Sequence, residues 1–345
     1  MSLKVFYIGD CHYMHSNKLE TDLMEVQIFQ LILEENPDLV VVLGDTLHNH
    51  EKIDSPCLRR ATVFLEGLQK ISKHLIILVG NHDMDTGYCF LSGEHWLNSF
   101  KLWEKTTIVD DVLVFEIKNY KFLCIPYVEA GRFNEALKTK NLDLSNLKEF
   151  NGLIAHQEFE GTEMNKLSKL NKNYDKIIDI YPEDAPLIVC GHYHNYSKEK
   201  ENLIYPGTPI PHGFSDFVEK TLSVITYDSN KYTEKRLKLN IPKRLVIILS
   251  PEELSEYVLP ENFSSLKIKV TGSSEVLKRI SKLKNVRDIE STLNVKIQYS
   301  YTNFEKNINN PIKIKTNLSV FKRLNIEIEK QNDYVKDVFY KRIAN

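Results

Sequence analysis

The chain has 345 residues, 42% of them hydrophobic and 27% charged, with a formal net charge of −2. That length is large for one core, so two or more domains are expected in a soluble globular protein. Five cysteines, an odd number without CxxC spacing, suggest no disulfide framework or zinc knuckle, and no apolar run approaches the roughly 20 residues that span a bilayer.

The charge is unevenly spread. Residues 1–240 carry 26 basic and 35 acidic side chains, and residues 241–345 carry 19 basic and 12 acidic ones. An acidic front suits a site that collects cations, and a basic tail suits a polyanion, although lysines are more often a solvated surface. No basic n-region or long apolar core opens the chain, so a reducing cytoplasm is the default location.

In chain order, Leu3 to Gly9 is a short apolar strand that runs into Asp10-Cys11-His12. Lys18 to Glu35 reads as a helix, with Leu19, Leu23, Val26 and Phe29 at helical spacing and Asn36-Pro37 as its stop. Leu39 to Gly44 is a second strand, ending at Asp45. A helix over Ala61 to Lys73, with Val63, Phe64, Leu68 and Ile71, leads to a third strand, Leu75 to Gly80, which runs into Asn81-His82-Asp83. His95 to Lys105 carries Trp96 and Trp103 on a stripe that reads as a core-facing helix. Phe122 to Pro126 and Leu153 to Ala155 are further strands, the latter ending at His156. Leu187 to Gly191 runs into His192-Tyr193-His194.

Pro206-Gly207-Thr208-Pro209 is a turn-rich loop. Thr221 to Tyr227 and Lys231 to Leu239 alternate about Asp228-Ser229-Asn230 as a hairpin, and the first domain closes near Asn240. Leu266 to Thr271, Ser273 to Leu283 and Asn294 to Tyr299 form a small β-α-β unit. Asn303 to Pro311 reads as a linker, and Ser319 to Ile343 as two short amphipathic helices. The expected division is therefore 1–240, 241–302 and 303–345.

Five short strands each end in metal-type ligands, and in α/β sheets ligands bind at the carboxyl ends of strands. Asp10, His12, Asp45, Asn81, His156, His192 and His194 form a mixed oxygen and nitrogen set of seven, too many for one ion. Two divalent ions sharing a carboxylate use them economically and clamp a phosphoryl group. The donor types fit manganese first, with magnesium, iron or zinc as alternatives. His82, beside the ions but outside that set, is placed to hydrogen-bond a phosphate oxygen or protonate a leaving alkoxide.

Gly9-Asp10-Cys11-His12, Gly44-Asp45, Gly80-Asn81-His82-Asp83, His156 and Gly191-His192-Tyr193-His194 together resemble the motifs of the calcineurin-like metallophosphoesterase superfamily. The resemblance covers Met1 to about Asn240. It implies an α/β fold, a four-layer α/β/β/α sandwich, followed here by the small β-α-β capping domain and C-terminal helices. It also implies that Asp10, His12, Asp45 and His194 hold one metal, that Asp45, Asn81, His156 and His192 hold the other, and that His82 acts on the scissile phosphate.

Within the superfamily, Gly44-Asp45-Thr46-Leu47-His48 lacks the arginine of the protein serine/threonine phosphatases and is closer to the motif of the SbcD exonucleases. There, a histidine three residues after the bridging aspartate helps place DNA, and His48 matches it. Tyr205-Pro206-Gly207-Thr208-Pro209 resembles the SbcD Y-x-G-S-P segment, which makes Gly207 and Thr208 substrate-binding candidates. This resemblance implies a DNA nuclease subunit of recombination and repair, a homodimer, partnered by an SbcC-type coiled-coil ATPase and located in the cytoplasm, or the host cytoplasm if phage-encoded. The competing readings are a metallophosphatase or phosphodiesterase of small phosphate esters or phosphoproteins, and a non-catalytic scaffold, which the intact ligand set disfavours.

Overall fold

The computed structural model describes residues 2–49, 54–85, 90–160, 179–214, 216, 219–229 and 231–301. Alternation along the strands decides its layering. In β1 (Leu3–Ile8), successive side chains point to opposite faces. Leu3, Val5 and Tyr7 enter one core, and Phe6 and Ile8 enter another. The strands β2 (Leu39–Val42) and β3 (Leu75–Leu78) divide in the same way: Leu39, Val41, Ile76 and Leu78 face one core, Val40, Val42, Leu75 and Ile77 the other. Strands buried on both faces must read as continuous apolar runs, which is why they were visible in the sequence.

The first sheet has six strands in the order β12-β11-β1-β2-β3-β4, with β4 at Thr106–Val109 and the hairpin β11 (Lys220–Asp228) and β12 (Lys231–Leu239). Strands β1 to β4 are mutually parallel, and β11 is antiparallel to β1. The second sheet runs β5-β6-β7-β8-β10-β9, built from Leu113–Ile117, Tyr120–Ile125, Gly152–His156, Ile188–Gly191, Leu203–Tyr205 and Ser197–Lys200 for β5, β6, β7, β8, β10 and β9. Its Phe122, Cys124, Ile154 and Val189 share the inner core with Val5, Tyr7 and Val41.

On the outside of the first sheet lie α1 (Lys18–Glu35) and α2 (Ser55–Ile71), through Met24, Ile28, Ile32, Phe64, Leu65 and Leu68. Outside the second lies α3 (Phe133–Lys138), with Phe133, Ala136 and Leu137 against Leu123 and Ile125. Two sheets face to face with helices outside each is the four-layer α/β/β/α sandwich.

Several expectations are refined. The span of α1 is as expected, but the row Leu19, Leu23 and Val26 is exposed, and the adjacent row Met24, Ile28 and Ile32 is buried. The helix is apolar on both rows, so packing and not periodicity selects the inner one. Helix α2 begins earlier than expected because Asp54 caps it, accepting from the Cys57 N–H at 3.3 Å, with Pro56 in the first turn. The segment from His95 is a 3₁₀ turn over Trp96–Leu102, and Trp103 leaves it extended to stack on Phe100 at 4.3 Å. Both tryptophans pack against the outer core, as a core-facing stripe requires.

The small unit after Asn240 is larger than a β-α-β element. It is a three-stranded sheet of β13 (Lys243–Leu249), β14 (Phe263–Gly272) and β15 (Val295–Tyr301) with helices α4 (Pro251–Glu256), α5 (Ser274–Ile280) and α6 (Lys284–Ser291). It has its own core of Leu254, Leu266, Ile268, Val270, Leu277 and Val286. Arg244 of β13 ties it to the larger layers, donating to the His212 carbonyl at 2.6 Å and to Glu20 Oε1 at 3.4 Å. The expected linker and terminal helices lie outside the described residues.

Candidate metal centre

Five strands of the two sheets deliver the ligand candidates. Asp10 and His12 follow β1, Asp45 follows β2, Asn81 follows β3, and His156 is the last residue of β7. His192 and His194 follow β8. The loops turn sharply to aim these side chains inward. His12, Asp45 and His192 all have positive φ, at 45°, 50° and 92°. Left-handed backbone at non-glycine residues costs on the order of 1–3 kcal/mol each and collects at functional sites.

Hydrogen bonds hold these turns. The His12 N–H donates to the Asp45 carbonyl at 3.0 Å, and the parallel ladder of β1 and β2 resumes beyond the ligands as Tyr13 N–H to Thr46 O, 2.8 Å. His192 N–H donates to Asp10 Oδ2 and His82 N–H to Asp45 Oδ1, each at 2.8 Å.

The expected ligands meet in two groups, and His12 forms a third with His48 and His82. Asp10, His12 and His194 have potential donor atoms within 4.8 Å of one another, as do Asp45, His156 and His192. Asp45 joins them: its Oδ2 lies 3.7 Å from His12 Nε2 and 3.4 Å from His156 Nε2. Asn81 Oδ1 lies 3.2 Å from His156 Nε2 and 3.0 Å from His192 Nδ1. All seven expected ligands are therefore at one place. His48 and His82 sit on the same rim, with His48 Nδ1 at 3.4 Å from His12 Nδ1. His82 Nδ1 donates to the His48 carbonyl at 2.5 Å, so that carbonyl orients the His82 ring.

The donors fit divalent metal on two observations. Asp10 Oδ1 and His12 Nε2 are buried and have no hydrogen-bond partner, although buried polar atoms are nearly always paired. Separations of 3.0–3.4 Å between neighbouring donors match two ligands about 2.1 Å from a shared ion at angles between octahedral and tetrahedral. His156 Nδ1 donates to the Leu43 carbonyl at 2.6 Å, which leaves Nε2 as the donor atom for an ion.

Close backbone approach makes room for this packing. A Cβ at Gly191 would lie 2.6 Å from His156 Nδ1 and 2.8 Å from Asp10 Oδ1, and one at Gly80 would overlap Asp45. Gly207, at φ +78°, carries its carbonyl against Gly9, where a Cβ would overlap it. Thr208 is buried. Its hydroxyl donates to Ile210 O at 2.7 Å and accepts from Lys220 Nζ at 3.0 Å, beneath the His194 loop.

Electrostatics follow from burial and crowding. Asp10 is pushed up to about 8 by burial, helped by the charge of Asp45 and opposed by His156. Burial would also raise Asp45, but the charges of His156 and His12 and the His156 hydrogen bond hold it well below the carboxylate range. Burial would lower His156, yet Asp45 and Asp10 carry it up to about 9. Burial pushes His12 well down.

Two contributors lie outside the expected ligand set. Asp83 binds the loops together, accepting from Gly80 N–H at 3.0 Å, Thr46 N–H at 3.1 Å and Trp96 Nε1–H at 2.9 Å. His212 brings a further imidazole, 4.6 Å from His12 and 5.1 Å from His194 between ring centroids. Its place in the loop that follows the last ligand motif was the available signal.

Comparison with known proteins agrees with this geometry. The family described as Calcineurin-like phosphoesterase matches residues 3–208. Protein 078R of Invertebrate iridescent virus 3, which carries the name phosphoesterase, is 36% identical over 253 residues, 73% of this chain and 70% of its own. The similarly named 244L of Invertebrate iridescent virus 6 is 33% identical over 290 residues, 82% of this chain and 99% of its own. Among solved structures, a phosphatase from Mycoplasma pneumoniae aligns at 14% identity over 69% of this chain and 94% of its own, with a TM-score of 0.39. A dimetal phosphatase from Danio rerio aligns at 12% identity over 69% and 98%, with a TM-score of 0.42. On the family match and on the two viral relatives, the chain belongs to the calcineurin-like phosphoesterases.

Proposed function

We propose that this chain hydrolyses phosphate esters with Asp10, His12, Asp45 and His194 around one ion and Asp45, Asn81, His156 and His192 around a second. Calcineurin-like phosphoesterases use two divalent ions, and the His and Asp clusters fit them. A bound pair neutralises phosphoryl charge and supplies a hydroxide at neutral pH. The mixed oxygen and nitrogen donors favour manganese, with magnesium, iron or zinc as the other candidates.

The observation that carries the reading is the placement of His82. Its backbone N–H holds Asp45, and its ring Nδ1–H is held by the His48 carbonyl. The ring is thereby fixed beside the bridging carboxylate with Nε2 directed away from the backbone, as a proton donor to a leaving alkoxide requires. Asp45 acts as the shared ligand, and Asp83 and Trp96 keep its loop in place.

The relatives' shared name supports a phosphatase or phosphodiesterase of small phosphate esters or phosphoproteins. A second reading, a nuclease acting at DNA ends with an SbcC-type ATPase, is favoured by His48, which stands against both His12 and His82. The 82% of this chain that 244L matches extends past residue 240, so that relative shares part of the region after the sandwich. The same reading carries the homodimer, and Gly207 and Thr208 as supports of the substrate loop.

Manganese-loaded protein assayed on p-nitrophenyl phosphate, on bis(p-nitrophenyl) phosphate and on end-labelled duplex DNA separates the readings. Turnover of small esters alone establishes the first, and nucleotide release from duplex ends the second. Two bound ions with no turnover on any of the three overturns both.

A further inference from the structure

We propose that His212 contacts the substrate, donating a hydrogen bond from its imidazole to a non-bridging oxygen of the phosphoryl group. The inference rests on the reading of the centre as a phosphoesterase site and adds a residue to it.

His82, His48 and His212 form a row of nearly parallel rings. His82 and His48 are 5.4 Å apart with 12° between planes, and His48 and His212 are 6.4 Å apart with 7°. His12 meets all three edge-on, at 4.8, 5.2 and 4.6 Å. A row of imidazoles thus lies over a ligand candidate, with His82 at one end and His212 at the other.

Both ring nitrogens of His212 are buried and have no hydrogen-bond partner among the described residues. A buried imidazole with both nitrogens unpaired is costly unless something outside the chain pairs with it. The chain nevertheless fixes this ring firmly. Its backbone N–H donates to Asp216 Oδ2 at 2.7 Å, and its carbonyl accepts from Arg244 Nη1 at 2.6 Å. The loop is thus tied to the three-stranded sheet on one side and to the 216 turn on the other, with the ring held toward His12 and His194.

The surroundings select an anion over a third cation. The rings facing His212 are imidazoles, and the charged side chain that acts on it from β11 is the cationic Lys220. The nearby carboxylate, Asp216, is engaged by the His212 and Gly213 N–H groups and by Lys220 at 3.8 Å. Imidazoles alone would suit a metal ion, but the charge of Lys220 acting on His212 opposes a third cation and favours a phosphoryl oxygen.

The test uses His212→Ala and His212→Gln in the full chain loaded with manganese, with inorganic phosphate as the probe in calorimetry. Phosphate affinity is expected to fall about tenfold to a hundredfold in His212→Ala, the loss of one hydrogen bond to a charged group. Glutamine is expected to recover part of it, and it keeps the comparison open should the alanine variant not fold. Ion content by mass spectrometry is expected to match the wild type, and kcat/KM on the best small ester to fall with the affinity. Unchanged phosphate affinity in both variants overturns the inference, as does loss of one ion, which would make His212 a ligand. Phosphate binding that depends on His212 in a wild type without turnover would sustain this inference while removing the hydrolytic reading.

Discussion

His82 and His48 are joined by a hydrogen bond from a ring to a main-chain carbonyl, Nδ1–H to O at 2.5 Å. A carbonyl only accepts, so the proton sits on Nδ1 and the ring's tautomer is set by the fold. His82→Asn removes the acid while leaving the backbone N–H that holds Asp45. Turnover is expected to fall about 10²- to 10⁴-fold with ion content unchanged. Steady-state rates and metal analysis of the same preparation check this, and ion loss alongside activity loss would assign His82 to the ligands.

His48 plays its two parts with different atoms. Its carbonyl orients His82, and its ring stands beside His12. His48→Ala keeps the carbonyl, so the orientation of His82 survives and only the ring's contribution is lost. If that ring places DNA, cleavage of end-labelled duplex falls about tenfold or more while turnover of bis(p-nitrophenyl) phosphate is little changed. Equal losses on both substrates would sink the DNA-placing role.

Much of this site was readable from the sequence because of one physical constraint. A strand buried on both faces is a short continuous apolar run, so Leu39–Val42 and Leu75–Leu78 stand out, and the residues just beyond them are the ones that reach the sheet edge. What escaped depends on packing at long range. The choice between two apolar rows of α1 is made by the sheet beneath it. The Trp96 bond to Asp83 bridges a loop and a 3₁₀ turn, which no periodicity encodes. His212 follows two prolines in a loop, and only its place after the last ligand motif sets it apart from a surface histidine. Arg244 belongs to a strand whose charged start hides its apolar pattern, and its partners Glu20 and His212 are distant in sequence.

Gly80 tests whether close packing holds the bridging carboxylate. A Cβ there would overlap Asp45 Oδ1, which the His82 N–H holds, and the Asp45 backbone nitrogen, which cannot give way. Gly80→Ala is expected to destabilise the protein by about 1–3 kcal/mol, as overpacking does, and to lower ion occupancy with it. Trp96→Phe is the milder companion. It removes one donor from Asp83, a carboxyl pushed up to about 6 by burial and by Asp45, and leaves its backbone donors in place. A loss of about 1 kcal/mol is expected. Thermal melts with and without manganese, together with metal analysis, distinguish the two, and an unperturbed Gly80→Ala protein would contradict the packing argument.

The protonation of the metal-free centre predicts an unusual pH response. Asp10 is pushed up to about 8 and His156 up to about 9. In the unfolded chain these groups lose their protons near about 3.9 and about 6.5. Between about pH 6.5 and 8 these two groups therefore bind more protons in the folded protein than in the unfolded one, and the stability they contribute falls as pH rises. Below about pH 6.5 His12, His194 and His212, all lowered by burial, act in the opposite sense; Asp45, held low, does so near or below about pH 4, and Lys220, lowered to about 8 by burial, does so above that. Divalent metal displaces the same protons, so its affinity should rise with pH across that window. Chelator-treated protein is thus expected to melt at progressively lower temperature from about pH 6.5 to 8, while manganese-loaded protein holds or gains. Asp10→Asn, which cannot titrate, should flatten the first slope. A chelator-treated protein that grows more stable with pH would show that Asp10 and His156 do not carry these protons.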